Sequence, residues 1–141
     1  MTLQETLALF DAYRAAFNRL DGDAVADLWH APSAVADSRA GAGRITWWAD
    51  DATMRANHRA LCDVYRSKGY HQADFRIEAH QALGADHAWA CLHWTLTRAD
   101  GSLLQAFRTG YHLLRTAAGP RVLMATAFEE NIREMTPHAA Q

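Results

Sequence analysis

The stretch DHAWACLHWTLTRADGSLLQAFRTGYHLLR, residues 86–115, alternates like two long strands around Asp100-Gly101, yet it carries large side chains on both faces. An ordinary half-exposed antiparallel pair keeps one face polar and quiet. Here neither face is quiet. A shift of one residue in pairing would exchange the faces, so the turn decides what each face contains. A two-residue turn on Asp100 and Gly101 pairs Ala99 with Ser102, setting His93 opposite Arg108, Trp94 opposite Phe107 and Trp89 opposite His112. One face then holds Leu92, Trp94, Leu96, Phe107 and Tyr111, and the other Trp89, Cys91, His93, Arg108 and His112. A three-residue turn with a bulge at Gly101 would instead mix Arg108 and His112 with Leu92 and Trp94. The two-residue turn is the expected one because it keeps charge off the apolar face.

The rest of the chain supplies helices to cover such a sheet. Thr2 and Glu5 have capping-box spacing, and Leu3, Leu7, Phe10, Tyr13 and Phe17 recur at helical intervals, which predicts an amphipathic helix over 3–19. Asp21-Gly22-Asp23 breaks the chain and caps a short helix over 24–30 that ends before Pro32. A weak strand pair over 33–46 turns at Ala40-Gly41-Ala42-Gly43. Asp50-Asp51 caps a helix over 52–67 that ends at Gly69, with Met54, His58, Leu61 and Tyr65 as its inner stripe. Strands over 71–80 and 121–130 flank the hairpin in sequence. Residues 1–133 are expected to form one domain and 134–141 a flexible tail. Helices followed by a run of antiparallel strands make the fold class α+β.

At 141 residues, half of them apolar, the chain can bury a real core. The net charge of −2, with Lys68 the only lysine and the arginines scattered singly, argues against nucleic acid or an anionic membrane as partner. No apolar run approaches the roughly 18 residues of a membrane span, and the first residues lack a signal-peptide pattern, so a cytoplasmic location is expected. Cys62 and Cys91 make no CxxC pair and read as buried thiols. Eight histidines occur without HxH, HxxxH or HExxH spacing, so no metal site is expected. No phosphate loop or GxSxG elbow occurs either, and no cofactor is expected.

The stretches FDAYRAAFNRLDGDAVADLWHAPSAVADS, ALGADHAWACLHWTLTRADG and YHLLRTAAGPRVL resemble the NTF2-like superfamily, specifically its SnoaL-like and ketosteroid-isomerase-like branch, and the match in element order spans nearly the whole chain. The resemblance implies a cone: a strongly curved, mostly antiparallel sheet wrapped around three helices, with an internal pocket for a small-molecule ligand. It also implies a homodimer through the convex sheet face. One face of the hairpin would line the pocket and the other would meet the partner. The face with Trp89, His93, Arg108 and His112 is expected in the pocket, and Trp94, Phe107, Tyr111, Met124 and Phe128 in the dimer patch.

The same resemblance implies general acid–base chemistry without a cofactor: isomerisation, cyclisation, dehydration or epoxide opening on a small, partly apolar substrate. Laid without gaps along the first 40 residues, the ketosteroid isomerase pattern puts its donor tyrosine on Tyr13 and its carboxylate base on Asp37; its second donor, a carboxylic acid on the penultimate strand, falls on His112, a departure from the pattern. Glu129 falls where SnoaL-like cyclases place an acidic acid/base residue. Arg108, His93, Trp89, His58 and Trp48 complete the set as substrate-binding candidates. Each residue also has a purely structural reading. Tyr13 and His58 could be satisfied core residues, and Asp37 a loop cap. His93, Arg108 and Glu129 could form a polar cross-strand group, and His112 could simply pack. Trp47 or Trp48 could be a hydrophobic staple ahead of the Asp50 cap. A non-catalytic ligand-binding or dimerisation module of the same fold is the alternative to an enzyme.

Overall fold

A computed structural model describes residues 1–129. The element order is α1 (Leu3–Asn18), α2 (Gly22–Ala26), β1 (Trp29–Arg39), β2 (Ala42–Trp48), α3 (Asp51–Ser67), β3 (Tyr70–Leu83), β4 (His87–Arg98), β5 (Leu103–Thr116) and β6 (Gly119–Phe128). The expected tail at 134–141 lies outside the described residues. The six strands form one sheet in the order β2-β1-β6-β5-β4-β3, curved around the helices but not closed, since β2 and β3 are both edges. All neighbours are antiparallel except β1 and β6.

The helices begin where their caps dictate. Thr2 and Glu5 form the full capping box on α1, Asp21 accepts from Ala24 N–H at α2, and Asp50 accepts from Thr53 N–H at 2.8 Å on α3. The short helix is shorter than the sequence suggests, because β1 starts at Trp29 and runs through Pro32. There is no side chain at position 22 for a steric reason: a Cβ there would stand 2.7 Å from the Arg59 backbone, so only glycine lets α2 lie against α3. Arg55 reinforces that contact by bridging Asp27 at 2.8 Å and Asp51 at 3.0 Å. Asn18 ties the end of α1 to β3, accepting from the Tyr70 hydroxyl and the Ala73 N–H, each at 2.9 Å.

The hairpin register is the expected one, with His93 opposite Arg108, Trp94 opposite Phe107 and Trp89 opposite His112, but it is reached differently. Gly101 N–H donates to Arg98 O and Arg98 N–H to Ser102 O, each at 2.9 Å, so the loop holds three residues with Gly101 at φ +85°. That loop alone would shift the pairing. Leu104 bulges out between the Thr97–Leu103 and Leu96–Gln105 pairs and shifts it back.

The two hairpin faces look in the directions opposite to those expected. Trp94 and Tyr111, each 3% exposed, point at the helices, while Trp89 is 41% exposed on the outer face. Phe10 of α1 sits among Tyr13, Phe75, Trp94 and Tyr111, and Trp94 Nε1–H donates to the Tyr111 hydroxyl at 2.9 Å. The physical reason is supply. Three helices bring apolar stripes to one side of the sheet, and the apolar hairpin face buries far more surface against them than the polar face could. Trp94, Phe107 and Tyr111 therefore belong to the interior and not to a dimer patch. Met124 and Phe128, opposite His112 and Arg108, remain on the outer face.

Candidate functional site

Between α1, α3 and the concave sheet face lies a cavity of about 170 Å³. Its wall is mostly aromatic and aliphatic, including Phe17, Leu61, Tyr65, Trp94, Phe107 and Tyr111. Tyr13, Trp29, His58 and Thr109 supply polar atoms, and Asp37 and Arg39 stand where the wall meets solvent. Exposure orders these groups: His58 is 2% and Trp29 5% exposed, while the side chains of Asp37 and Arg39 are 19% and 30% exposed. The first pair is inner wall and the second is mouth.

His58 reaches the cavity because the Met54, His58, Cys62, Tyr65 stripe of α3 faces inward, as the spacing predicts. Its ring lies 4.8 Å from the Trp29 indole and 6.4 Å from Trp48, and neither ring nitrogen has a hydrogen-bond partner. Burial, helped by the nearby Arg55 charge, pushes its pKa down to about 4, so the imidazole is neutral at neutral pH. A neutral imidazole offers one N–H and one lone pair. Trp29 Nε1 and Thr109 Oγ1 are likewise buried without a hydrogen bond of good geometry, Trp29 facing Tyr13 and Thr109 facing Tyr111. Burial raises the Tyr13 pKa well above the phenol range, the Trp29 N–H facing it opposing this only in part, so Tyr13 remains a protonated donor.

Asp37 lies at the mouth but is not free. Burial would raise its pKa, yet hydrogen bonds and charge from Arg44, with Arg39 adding to them, outweigh burial and hold it below the ordinary carboxylate range. Arg44 stands opposite on β2 and grips both carboxylate oxygens, Nε at 3.0 Å and Nη2 at 2.8 Å. A carboxylate neutralised in this way is a poor proton acceptor, which makes His58 the better-placed base.

Of the sequence-predicted residues, Tyr13, Asp37 and His58 line the cavity. Trp48 packs behind His58 and the core at the end of β2 without lining it. Trp89, His93, Arg108, His112 and Glu129 lie outside the cavity, on or beside the outer sheet face. Arg108 donates to Glu78 at 2.8 Å and forms an ion pair with Glu129, while His112 Nε2 meets His87 Nδ1 at 3.3 Å. The Trp89 ring covers Gly110, where a Cβ would come within 3.5 Å of it. Their pairing follows from the correct register, and their misplacement follows from reading charge as the mark of a pocket. Sequence reasoning missed Trp29, Arg39 and Thr109. Arg39 had a signal: Val35, Asp37 and Arg39 alternate along β1, so whatever faces Asp37 also faces Arg39. Among the described residues, no three His, Cys, Asp or Glu side chains converge as a metal site would require.

Solved structures share this architecture. An NTF2-like protein of unknown function from Shewanella oneidensis MR-1 aligns with TM-score 0.68 and 18% identity, covering 90% of this chain and 98% of that one. A ketosteroid isomerase-like protein from Erwinia carotovora atroseptica SCRI1043 aligns with TM-score 0.59 and 22% identity over 89% of this chain and 93% of that one. An NTF2-like protein from Streptomyces avermitilis, provisionally named a dehydratase, aligns with TM-score 0.62 and 13% identity over 89% and 93%. At these low identities it is the superpositions that establish a shared fold, and the fold alone. No curated protein matches the chain. The NTF2-like protein family DUF6841 matches residues 4–130, nearly every residue of the sheet and helices just described, and the chain belongs to that family.

Proposed function

We propose that the cavity holds a ring-sized organic molecule bearing a carbonyl or hydroxyl group, and that neutral His58 moves a proton on it while Tyr13 and Trp29 donate hydrogen bonds to its oxygen. The observation that carries this reading is the pair of buried, unpartnered His58 nitrogens in a mostly apolar cavity, with Trp29 Nε1 and Thr109 Oγ1 lining it without a hydrogen bond of good geometry. Buried polar groups are nearly always paired, and each orphan costs about 1–3 kcal/mol. A ligand oxygen in the cavity would give a partner to one His58 ring nitrogen and to the donors beside it. The size supports a single ring rather than a steroid, since apolar cavities of about 150 Å³ take up benzene and drug-sized ligands need roughly 300 Å³ or more. Two of the structurally similar proteins bear the names ketosteroid isomerase-like and dehydratase, and both reactions move protons at carbon.

The test needs no knowledge of the natural substrate. Cyclohexanone in D₂O exchanges its α-hydrogens through an enol, and NMR follows both exchange and binding. Faster exchange with the protein is the expected result. Binding without faster exchange would establish the non-catalytic ligand-binding alternative, and absence of both would overturn the reading.

We propose in addition that the outer sheet face pairs two copies of the chain. Trp89 and Phe128 are exposed there, Met124 lies near His112, and the surrounding charges are already paired within the chain. A second copy would cover these apolar groups. Light scattering should give twice the chain mass, and Phe128→Glu should give a folded monomer. A monomeric wild type at micromolar concentration would contradict this.

A further inference from the structure

We infer that the cavity selects an anion: a small cyclic or aromatic carboxylate whose ring, with its carbonyl or hydroxyl group, enters the aromatic interior and whose carboxylate is received by Arg39 at the mouth. This rests on the cavity being a ligand site and adds the charge class of what it takes.

The charges at the cavity mouth do not balance. Among the described residues, Asp37 and Arg39 are the charged groups on the cavity wall, with His58 neutral, and Arg44 stands behind Asp37. Two guanidinium groups thus face one carboxylate, and they share it unequally. Arg44 takes both oxygens of Asp37 in a side-on pair at 3.0 and 2.8 Å. Arg39 Nε stands 3.5 Å from Oδ2, longer than a good N–H···O bond. A guanidinium carries five N–H donors in a rigid fork matched to a carboxylate. Arg39 makes no other ion pair or side-chain hydrogen bond among the described residues. Its donors are available where the cavity opens, on the same strand face as Val35 and Asp37.

The mouth therefore carries one uncompensated positive charge beside an apolar, aromatic interior. An amphiphilic anion fits both parts, whereas a cation would be repelled and a neutral ring would leave Arg39 unused. Asp37 acquires a role in this arrangement. By engaging Arg44 it fixes the β1–β2 corner that presents Arg39, without consuming Arg39's donors.

Benzoate and benzamide have nearly the same shape and differ in charge, so calorimetric titration of both probes isolates the effect. The wild type should bind benzoate about tenfold or more tightly than benzamide, the advantage expected of a charge-assisted fork. Arg39→Met should erase the difference between the probes, and Arg39→Lys should restore part of it. Equal affinity of the wild type for both probes would overturn the anion assignment while leaving the cavity reading in place. So would a benzoate preference that survives Arg39→Met. Failure of both probes to bind would overturn this inference, and the cyclohexanone titration decides the cavity reading separately.

Discussion

Replacing His58 with leucine should make the protein more stable at neutral pH and at least about 100-fold slower in any exchange reaction it catalyses, the usual loss for a residue acting in the transition state. The stability gain follows from two buried ring nitrogens without partners. Substituting an apolar group of similar volume removes that desolvation cost, worth about 1–3 kcal/mol, and each kcal/mol should raise the melting temperature by roughly 2–4 °C in a chain of this size. The pH dependence is a second signature. The folded-state pKa of His58 is lowered from 6.5 to about 4, so between those values the unfolded chain binds more protons than the folded one. Stability associated with neutral His58 is complete above pH 6.5 and is lost progressively as pH falls through 4, amounting to about 3 kcal/mol. The chain has eight histidines, so the share of this slope due to His58 is the difference between the wild type and His58→Leu. His58→Leu should flatten it. Denaturant titrations at several pH values check both effects, and a leucine variant that is less stable with an unchanged slope would make His58 a structural residue.

Trp94→Ala should cost about 3–5 kcal/mol, and Trp89→Ala less than about 1 kcal/mol, although the two tryptophans lie on the same strand. Trp94 packs against Phe10, Tyr13 and Phe75 with ring centres 5.1–6.3 Å apart, and its N–H is bonded to Tyr111. Its loss would enlarge the cavity and leave the buried Tyr111 hydroxyl without that donor. Trp89 lies on the opposite face with 41% of its surface in solvent. Urea denaturation at a concentration where both variants are in the same oligomeric state separates them. Comparable losses would mean that the outer face is also buried within the chain.

That contrast also marks how far the sequence could be read. The helix caps at Thr2 and Asp50, the inner stripe of α3 and the cross-strand pairs of β4 and β5 are local or periodic features, and each was legible. Periodicity separates two faces of a hairpin but does not say which is concave, because both orientations obey the same alternation. The direction is set by where the helical stripes land, a tertiary fact. Compensating irregularities are equally silent: the three-residue turn and the Leu104 bulge cancel, so the right register emerges from a different turn. At the site, Tyr13, Asp37 and His58 were legible, the first two through family resemblance and the last from its helical spacing. The Arg44 clamp was not, since it depends on how Asp37 and Arg44 meet across the β1–β2 pair.

The central claim is that the unpartnered polar atoms of the cavity receive the ligand. It is tested most directly by NMR of the Trp29 indole N–H and the His58 ring during titration with cyclohexanone. The account predicts that both signals shift with one common saturation curve while the Trp89 indole, on the outer face, stays where it is. A saturable change at Trp89 or His112 with Trp29 and His58 unmoved would contradict it.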